Sequence, residues 1–309
     1  MRKYLYIKKI SYFFFLPLAK YFVQAEYMTL KDIQTEVRKL LSTVYENGEL
    51  KTISDMLIEY HTGYDYIRLN MYPDKQVDDA VYQKIMQHLD LLCQHYPIQY
   101  LTKQAYFFNM QLYVNSNVLI PRMETEELVQ WILHTEKNTS SVLDICTGSG
   151  CIALALAKQW PQAQISACDI SNDALQVAKR NARQQNVSIN FMQMDVLHIN
   201  WDNTKLTQYD IIVSNPPYVC KREQSMMSRQ VLEHEPHLAL FVEDEHPLVF
   251  YHAIAEIAKR VLKKGGSLYF EINERLGNEM LQLMQEHGFS QIELKQDINA
   301  KNRMVKGIL

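Results

Sequence analysis

No two cysteines of this 309-residue sequence stand in C-x-x-C spacing, and the five present (Cys93, Cys146, Cys151, Cys168 and Cys220) are odd in number. That excludes a fully paired disulfide framework and a cysteine-built zinc site, and it fits the reduced thiols of a cytosolic protein. There is no low-complexity stretch, no internal repeat, and no apolar run long enough to span a bilayer. Basic excess is missing too. The formal net charge is −3; residues 1–27 hold five basic and one acidic residue, so the remainder, with 27 basic and 34 acidic, carries −7. An acidic body is a poor match for a protein that lives on nucleic-acid phosphates. Two phosphate-binding signatures are also absent, the G-x-G-x-x-G spacing and the P-loop Gly-Lys-Ser/Thr.

The N-terminus allows two readings. Residues 1–27 combine Arg2, Lys3, Lys8, Lys9 and Lys20 with an apolar run from Ser11 to Ala19, which resembles a weak signal peptide. The alternative is that Met28 is the true start and residues 1–27 are an upstream extension. The second is favoured, because Met28-Thr29 opens a well-formed helix and everything downstream reads as cytosolic.

Thr29 and Asp32 have capping-box spacing, followed by Leu30, Ile33, Val37, Leu40, Leu41 and Val44 at helical intervals. A second helix is expected from about Leu50 to Tyr60, stopping near Gly63, and a third through Val77, Val81, Ile85, Leu89 and Leu92. Three helices with one apolar face each make a small bundle. Ala105–Phe108 and Gln111–Val114, flanking Asn109-Met110, predict a hairpin joining two domains. Glu124, Glu126 and Glu127 crowd the start of a helix with Leu128, Val129, Ile132 and Leu133 as its stripe; they either complement the helix dipole or take part in the site, and the pattern leaves both open.

From Ser141 strands and helices alternate. Strands are expected at Val142–Ile145, Gln164–Ile170, Ile189–Asp195, Tyr209–Ser214 and Ser267–Ile272. Helices begin at Cys151, Asn172 and Gly277, and a long one runs from His246-Pro247 to Lys264, ended by Gly265-Gly266. Ile292–Ile298 and Met304–Leu309 close as an antiparallel pair. This order implies a doubly wound α/β sheet, whose ligands lie beyond the carboxyl ends of the strands. Four polar features fall there: the turn Cys146-Thr147-Gly148-Ser149-Gly150, then Asp169, Asp195 and Asn215. Asp169, 19 residues after Gly150, suits a ribose diol. Asp195 either takes an adenine amine or simply ends its strand. In Asn215-Pro216-Pro217-Tyr218 the prolines stop the strand, leaving the asparagine carboxamide, the Pro216 carbonyl and an aromatic ring as a corner for a planar group bearing NH2. With no basic residue at the turn, a cofactor with ribose and adenine but no phosphate fits best, namely S-adenosylmethionine.

Several blocks resemble the PrmC/HemK family of protein-(glutamine-N5) methyltransferases. They are Pro97-Ile98-Gln99-Tyr100, Leu119-Ile120-Pro121-Arg122-Met123-Glu124-Thr125-Glu126-Glu127-Leu128, Leu143 to Ala157, Asp169 to Leu175, Asn215-Pro216-Pro217-Tyr218 and Glu235-Pro236-His237-Leu238-Ala239-Leu240. The resemblance runs from about Met28 to the C-terminus. It implies a seven-stranded, Rossmann-like class I S-adenosylmethionine-dependent methyltransferase sheet with a small N-terminal helical bundle. The domains would be the extension or signal-like segment 1–27, a bundle for protein-substrate recognition at 28–97, a hairpin linker at 98–120 and a catalytic domain at 121–309. It implies Cys146, Thr147, Gly148, Ser149, Gly150, Asp169, Asp195, Val196 and Asn215 at the cofactor, and Asn215, Pro216, Pro217 and Tyr218 at the substrate. Of these, Asn215, Pro216 and Tyr218 would be catalytic, with no metal. The expected substrates are class I peptide chain release factors, methylated on the glutamine of their GGQ motif. The expected enzyme is a cytoplasmic monomer that binds neither DNA nor membrane. A glutamine methyltransferase of a ribosomal protein and, more remotely, an adenine-N6 DNA methyltransferase share the N-P-P-Y corner and stand as alternatives.

The sequence departs from the family at four places. Cys146 stands where glycine is usual, Met123 replaces a common proline, Val196 sits where some members carry an aromatic residue, and Phe241-Val242-Glu243 replaces a glycine-rich segment. Mass spectrometry of the natural N-terminus should find a chain beginning at Met28; a cleaved chain recovered outside the cytoplasm would favour the signal peptide instead.

Overall fold

The computed structural model describes residues 28–137, 139–199 and 207–309. The expectations for 1–27 lie outside the described residues. The chain divides into two compact units, up to Ile98 and from Gln99 onward.

The first unit is helical. Helix α1 (Leu30–Leu41) starts on the expected capping box: the Asp32 N–H donates to Thr29 Oγ1 at 3.2 Å, and the Thr29 N–H donates to the Asp32 carboxylate at 3.1 Å. Helix α2 (Asn47–Thr62) ends at Gly63, whose φ of 72° suits a residue without a Cβ. Helix α4 (Asp79–Cys93) buries Tyr82, Ile85, Met86, Leu89 and Leu92. Arg38 pairs with Asp55 across α1 and α2 at 2.8 Å, and the Tyr45 hydroxyl donates to the Leu92 carbonyl at 3.0 Å. Where three helices were expected, the described residues before Ile98 form four, the extra one being α3 (Tyr66–Met71), capped by Asp65. Its only buried residue is Leu69, so it carries no apolar stripe for periodicity to detect.

After the short α5 (Ile98–Thr102), strands β1 (Gln104–Phe107) and β2 (Met110–Tyr113) form the hairpin. Its turn is Phe108-Asn109, one residue earlier than expected; both have positive φ (49° and 60°), the geometry that matches strand twist. The hairpin is no free linker. Phe107, Met110 and Leu112 join the core of the second unit, and Asn181 bonds both the N–H and the carbonyl of Tyr113, at 2.7 and 3.0 Å.

The sheet contains β3 (Ser141–Ile145), β4 (Gln164–Asp169), β5 (Asn190–Gln193), β6 (Tyr209–Ser214), β9 (Leu262–Glu271), β10 (Ser290–Gln296) and β11 (Asn302–Ile308). Their spatial order is β10-β11-β9-β6-β3-β4-β5. Strands β5, β4, β3, β6 and β9 run parallel; β11 is antiparallel to β9 and to β10. Alternate residues face opposite layers. Val142, Ile211 and Val213 pack with residues of α6 (Met123–Thr135) and α7 (Cys151–Gln159), and Leu143, Ile145 and Ile212 with residues of α10 (Val249–Val261) and α11 (Gly277–Glu286). Helix α8 (Asn172–Gln185) follows β4. Between β6 and α10 the chain forms β7 (Val219–Cys220), α9 (Arg229–His234) and β8 (Phe241–Val242), none of which the sequence pattern had suggested. Among the described residues no helix is long and apolar enough to cross a membrane.

The long helix expected from His246-Pro247 to Lys264 is shorter at both ends, running from Val249 to Val261. Gly265-Gly266 does not end a helix; α10 stops at Val261 and both glycines lie inside β9. The β6–β9 register shifts between Tyr209 and Ile211, and a Cβ on Gly266 would lie 2.9 Å from the Asp210 carbonyl oxygen, so the pair marks close strand approach at an irregularity.

Beside it, one Asp210 oxygen accepts the N–H groups of Ser140 and Ser141 at 2.9 and 2.8 Å, and the other accepts Lys263 Nζ at 2.7 Å. Burial pushes this carboxyl up, but the bonds from Lys263, Ser140 and Ser141 outweigh it and hold it well below its ordinary value. Asp210→Ala should cost about 1–3 kcal/mol at neutral pH, read by denaturant unfolding. A depressed folded-state pKa gives stability that is complete above the ordinary value of 3.8 and lost as pH falls through the folded value. The gap between wild type and variant should therefore narrow in acid below pH 3.8.

Candidate active site

Strand β3 ends at Ile145, and the chain turns through Cys146-Thr147-Gly148-Ser149-Gly150 into α7. Cys146, Gly148 and Gly150 have φ of 60°, 54° and 83°. At Gly150 the turn also requires close approach, since a Cβ there would lie 3.1 Å from Ala178 Cβ. Cys146 adopts the left-handed conformation without glycine's freedom, at a strain of about 1–2 kcal/mol. Asp144 fastens the loop from beneath: its fully buried carboxylate accepts Thr147 Oγ1 at 2.6 Å and the Ala153 N–H at 3.2 Å. Burial pushes Asp144 up to about 7, against those two hydrogen bonds.

Asp169 closes β4 beside the loop. One oxygen accepts the Gly148 N–H and the other the Ser171 N–H, both at 2.9 Å. Each keeps a lone pair, enough for the two hydroxyls of a ribose. Burial raises its pKa, opposed by the backbone bonds from Ser171 and Gly148. Asp195 lies past the end of β5 instead of within the expected strand, and accepts the Leu197 N–H at 2.9 Å and His198 Nδ1 at 3.0 Å. Burial would raise this carboxyl too, but the bonds from His198 and Leu197 leave it below its ordinary value.

These strand ends surround a cavity of about 320 Å3. Cys146, Thr147, Gly148, Ser149, Asp169, Asp195, Val196 and Asn215 all line it, while Gly150 does not. Ile170, Met194, Leu197 and Phe250 add apolar wall, and the one basic side chain among the described lining residues, Arg122, is paired with Glu235. A carboxylate with free lone pairs, an apolar slot and an arginine already paired with Glu235 fit an adenosyl group without phosphates. A second cavity, also about 320 Å3, is lined by Pro216, Tyr218, Glu271 and Arg303. Asn215 borders both cavities; Pro217 borders only the first. The corner seen in sequence thus separates two chambers, with one carboxamide reaching each.

Behind Asn215 runs a buried hydrogen-bonded chain. Its Nδ2 donates to Thr125 Oγ1 at 3.2 Å, Thr125 Oγ1 donates to Glu271 at 2.6 Å, and the Tyr218 hydroxyl donates to the other Glu271 oxygen at 3.1 Å. Burial pushes the Glu271 carboxyl up, opposed by Thr125, Tyr218 and Arg303; burial and the Glu271 charge push the Tyr218 phenol up. Neither Thr125 nor Glu271 was nominated from sequence. The available signal was a carboxylate inside the apolar run Leu268-Tyr269-Phe270-Glu271-Ile272, since an unpaired charge is seldom fully buried. Arg122 and Leu119, which line both cavities, were also missed as site residues.

Glu235 joins two of the motif blocks. Its buried carboxylate accepts the Ile120 N–H at 3.1 Å and pairs with Arg122, so the segment before α6 is clamped to the loop after α9. The acids at the start of α6 do more than complement a dipole: Glu126 accepts the Phe108 N–H at 3.0 Å and Glu127 the Ile298 N–H at 3.3 Å. Asp169→Ala should weaken S-adenosylmethionine binding about tenfold or more, the scale of a lost charged hydrogen bond, with calorimetric affinity as the readout. Unchanged affinity would remove the ribose assignment.

Comparison with known proteins places these features. Residues 32–102 match the family model described as the PrmC N-terminal domain, and residues 98–240 the methyltransferase small domain. The release factor glutamine methyltransferase of Flavobacterium psychrophilum is 40% identical over 284 residues, covering 90% of this chain and 99% of that protein. Its counterpart from Bacteroides thetaiotaomicron is 38% identical over 273 residues, covering 88% and 98%. Among solved structures, the hMettl16 catalytic domain in complex with MAT2A 3'UTR hairpin 1 aligns with a TM-score of 0.53 and 14% identity over 88% of this chain and 90% of that one, a likeness of fold alone. The sheet is that of a class I methyltransferase, and S-adenosylmethionine is its cofactor. With two relatives near 40% identity spanning nearly their whole length, the chain belongs to the release factor glutamine methyltransferase family.

Proposed function

We propose that this chain transfers a methyl group from S-adenosylmethionine to the side-chain amide nitrogen (N5) of a glutamine in peptide chain release factors, the glutamine of the GGQ motif, and so tunes translation termination. The observation that carries the reading is Asn215 standing between two chambers, one with the features of an adenosyl site and one open to a small planar acceptor.

An amide nitrogen is a poor nucleophile because its lone pair is delocalised into the carbonyl. Bound S-adenosylmethionine supplies an electrophilic methyl group on a sulfonium. The chain's own residues supply position. Asn215 Oδ1 and the Pro216 carbonyl accept the two hydrogens of the acceptor NH2, fix the direction of its lone pair and favour the positive charge that develops on nitrogen. The Tyr218 ring borders the amide plane. No strong base is needed beforehand, since the proton leaves afterwards from a far more acidic nitrogen. We assign residues 28–97 to recognition of the protein substrate, and 121–309, with the hairpin before them, to catalysis. The enzyme acts as a monomer in the cytoplasm, where release factors work, without DNA or membrane; the acidic charge of residues 28–309 supports the exclusion of DNA.

Asn215→Ala should abolish transfer while leaving cofactor affinity largely intact; near-normal turnover would contradict its role. Offered labelled cofactor with a release factor, a ribosomal protein or duplex DNA, the purified enzyme should label the release factor. Label on either of the others would move the chain to a different substrate class.

A further inference from the structure

A carboxamide has an oxygen end and a nitrogen end of nearly the same shape, so its neighbours decide which end faces a ligand. The proposed chemistry works with one end only, because an acceptor NH2 needs Oδ1 of Asn215. The NH2 end would meet it donor to donor. Nothing in Asn215-Pro216-Pro217-Tyr218 itself makes that choice.

The buried chain behind Asn215 makes it. Glu271 is 1% exposed and Thr125 2%, and the two meet at 2.6 Å. Two hydroxyls, from Thr125 and Tyr218, converge on the two oxygens of Glu271, which is how an ionised carboxyl is satisfied. A carboxylate has no hydrogen to give, so Thr125 must spend its single hydroxyl hydrogen on Glu271. What Thr125 then offers Asn215, 3.2 Å away, is a lone pair, which only the NH2 end can meet. Polarity is therefore passed from Glu271 on β9, through Thr125 on α6, to the asparagine after β6.

We propose that Thr125 and Glu271 are positioning residues for methyl transfer: the buried Glu271 carboxylate makes the Thr125 hydroxyl an obligate acceptor toward Asn215, which locks the Asn215 oxygen toward the substrate amide. This rests on the acceptor-binding role assigned above to Asn215. Neither positioning residue needs to touch the reacting atoms. Tyr218, hydrogen-bonded to the same carboxylate, helps hold Glu271 in place.

The test compares Thr125→Val, which keeps shape and loses the hydroxyl, with Thr125→Ser, which keeps the hydroxyl and loses a methyl. In the full-length enzyme with a release factor, Thr125→Val should lower kcat about 10- to 100-fold, the scale on which a misplaced reacting group is felt. Thr125 borders the first cavity, but its hydroxyl is taken up by Glu271 and Asn215 and valine keeps its shape, so the S-adenosylmethionine Kd should change by less than about threefold. Thr125→Ser should stay within about threefold of wild type in kcat, since the hydroxyl that sets the polarity remains. A purely packing role predicts the opposite order, with serine no better than valine, and that result overturns the proposal. Glu271→Gln, nearly isosteric, removes the acceptor-only end of the chain and should lower kcat about tenfold at unchanged cofactor Kd. It carries the test if Thr125→Val does not fold, and wild-type turnover in it overturns the proposal. Asn215→Ala assayed alongside separates the two levels. If that variant still turns over, the role of Asn215 falls; if it is dead while Thr125→Val is normal, only the positioning chain falls.

Discussion

Parallel pairing of β3 with β6 is the constraint on which the site depends. From β3 the chain builds outward through β4 and β5, and then it crosses back to lay β6 on the other side of β3. Chain leaving the carboxyl ends of these two neighbours must go opposite ways, so a crevice opens that no connection fills. The Ser214 hydroxyl donates to the Ile145 carbonyl at 2.7 Å, fixing the last residues of the two strands against each other. The glycine turn then departs from one lip and Asn215 from the other. Their separation is set by a strand spacing and not by flexible loop, which suits a reaction that depends on holding two groups in line.

Buried carboxylates do much of the remaining work. Asp144 holds the cofactor turn, Glu235 holds the segment before α6, and Glu271 anchors the chain behind Asn215. A buried acid is costly unless its lone pairs are met, and these three are met by hydroxyls, backbone N–H groups or arginine. Each ties together segments far apart in sequence or orders a loop that would otherwise be loose. The balance is uneven: Asp144 retains one oxygen without a partner, consistent with its carboxyl being driven up to about 7.

Most of the fold was legible because strand, turn and helix alternate with clear punctuation. Most residues lining the first cavity were legible because they sit at strand ends, where polar residues interrupt apolar runs. Elements without a periodic face escaped, as α3 and α9 show with at most one buried residue between them. Gly265-Gly266 misled because glycine is a helix stop in local terms and a strand irregularity in tertiary ones; the deciding fact, contact with Asp210, lies over fifty residues away. Thr125 was hidden for a similar reason. A threonine near a helix start reads as local capping, and its partner Glu271 is 146 residues distant. Pattern along the chain reveals what each segment is, whereas hydrogen-bond partners across it have to be seen.

The Glu235 clamp has a bearing on how the enzyme is made. It joins residues 115 positions apart, Ile120 and Glu235, across chain that includes four strands of the central sheet. During synthesis the early wall of the cofactor crevice therefore has no latch until the ribosome has moved well past β6 and the later loop has emerged. A nascent fragment can order its first strands locally, but long-range closure waits on the distal residues. Closure of that crevice thus depends on residues made only after β3, β4, β5 and β6 are complete.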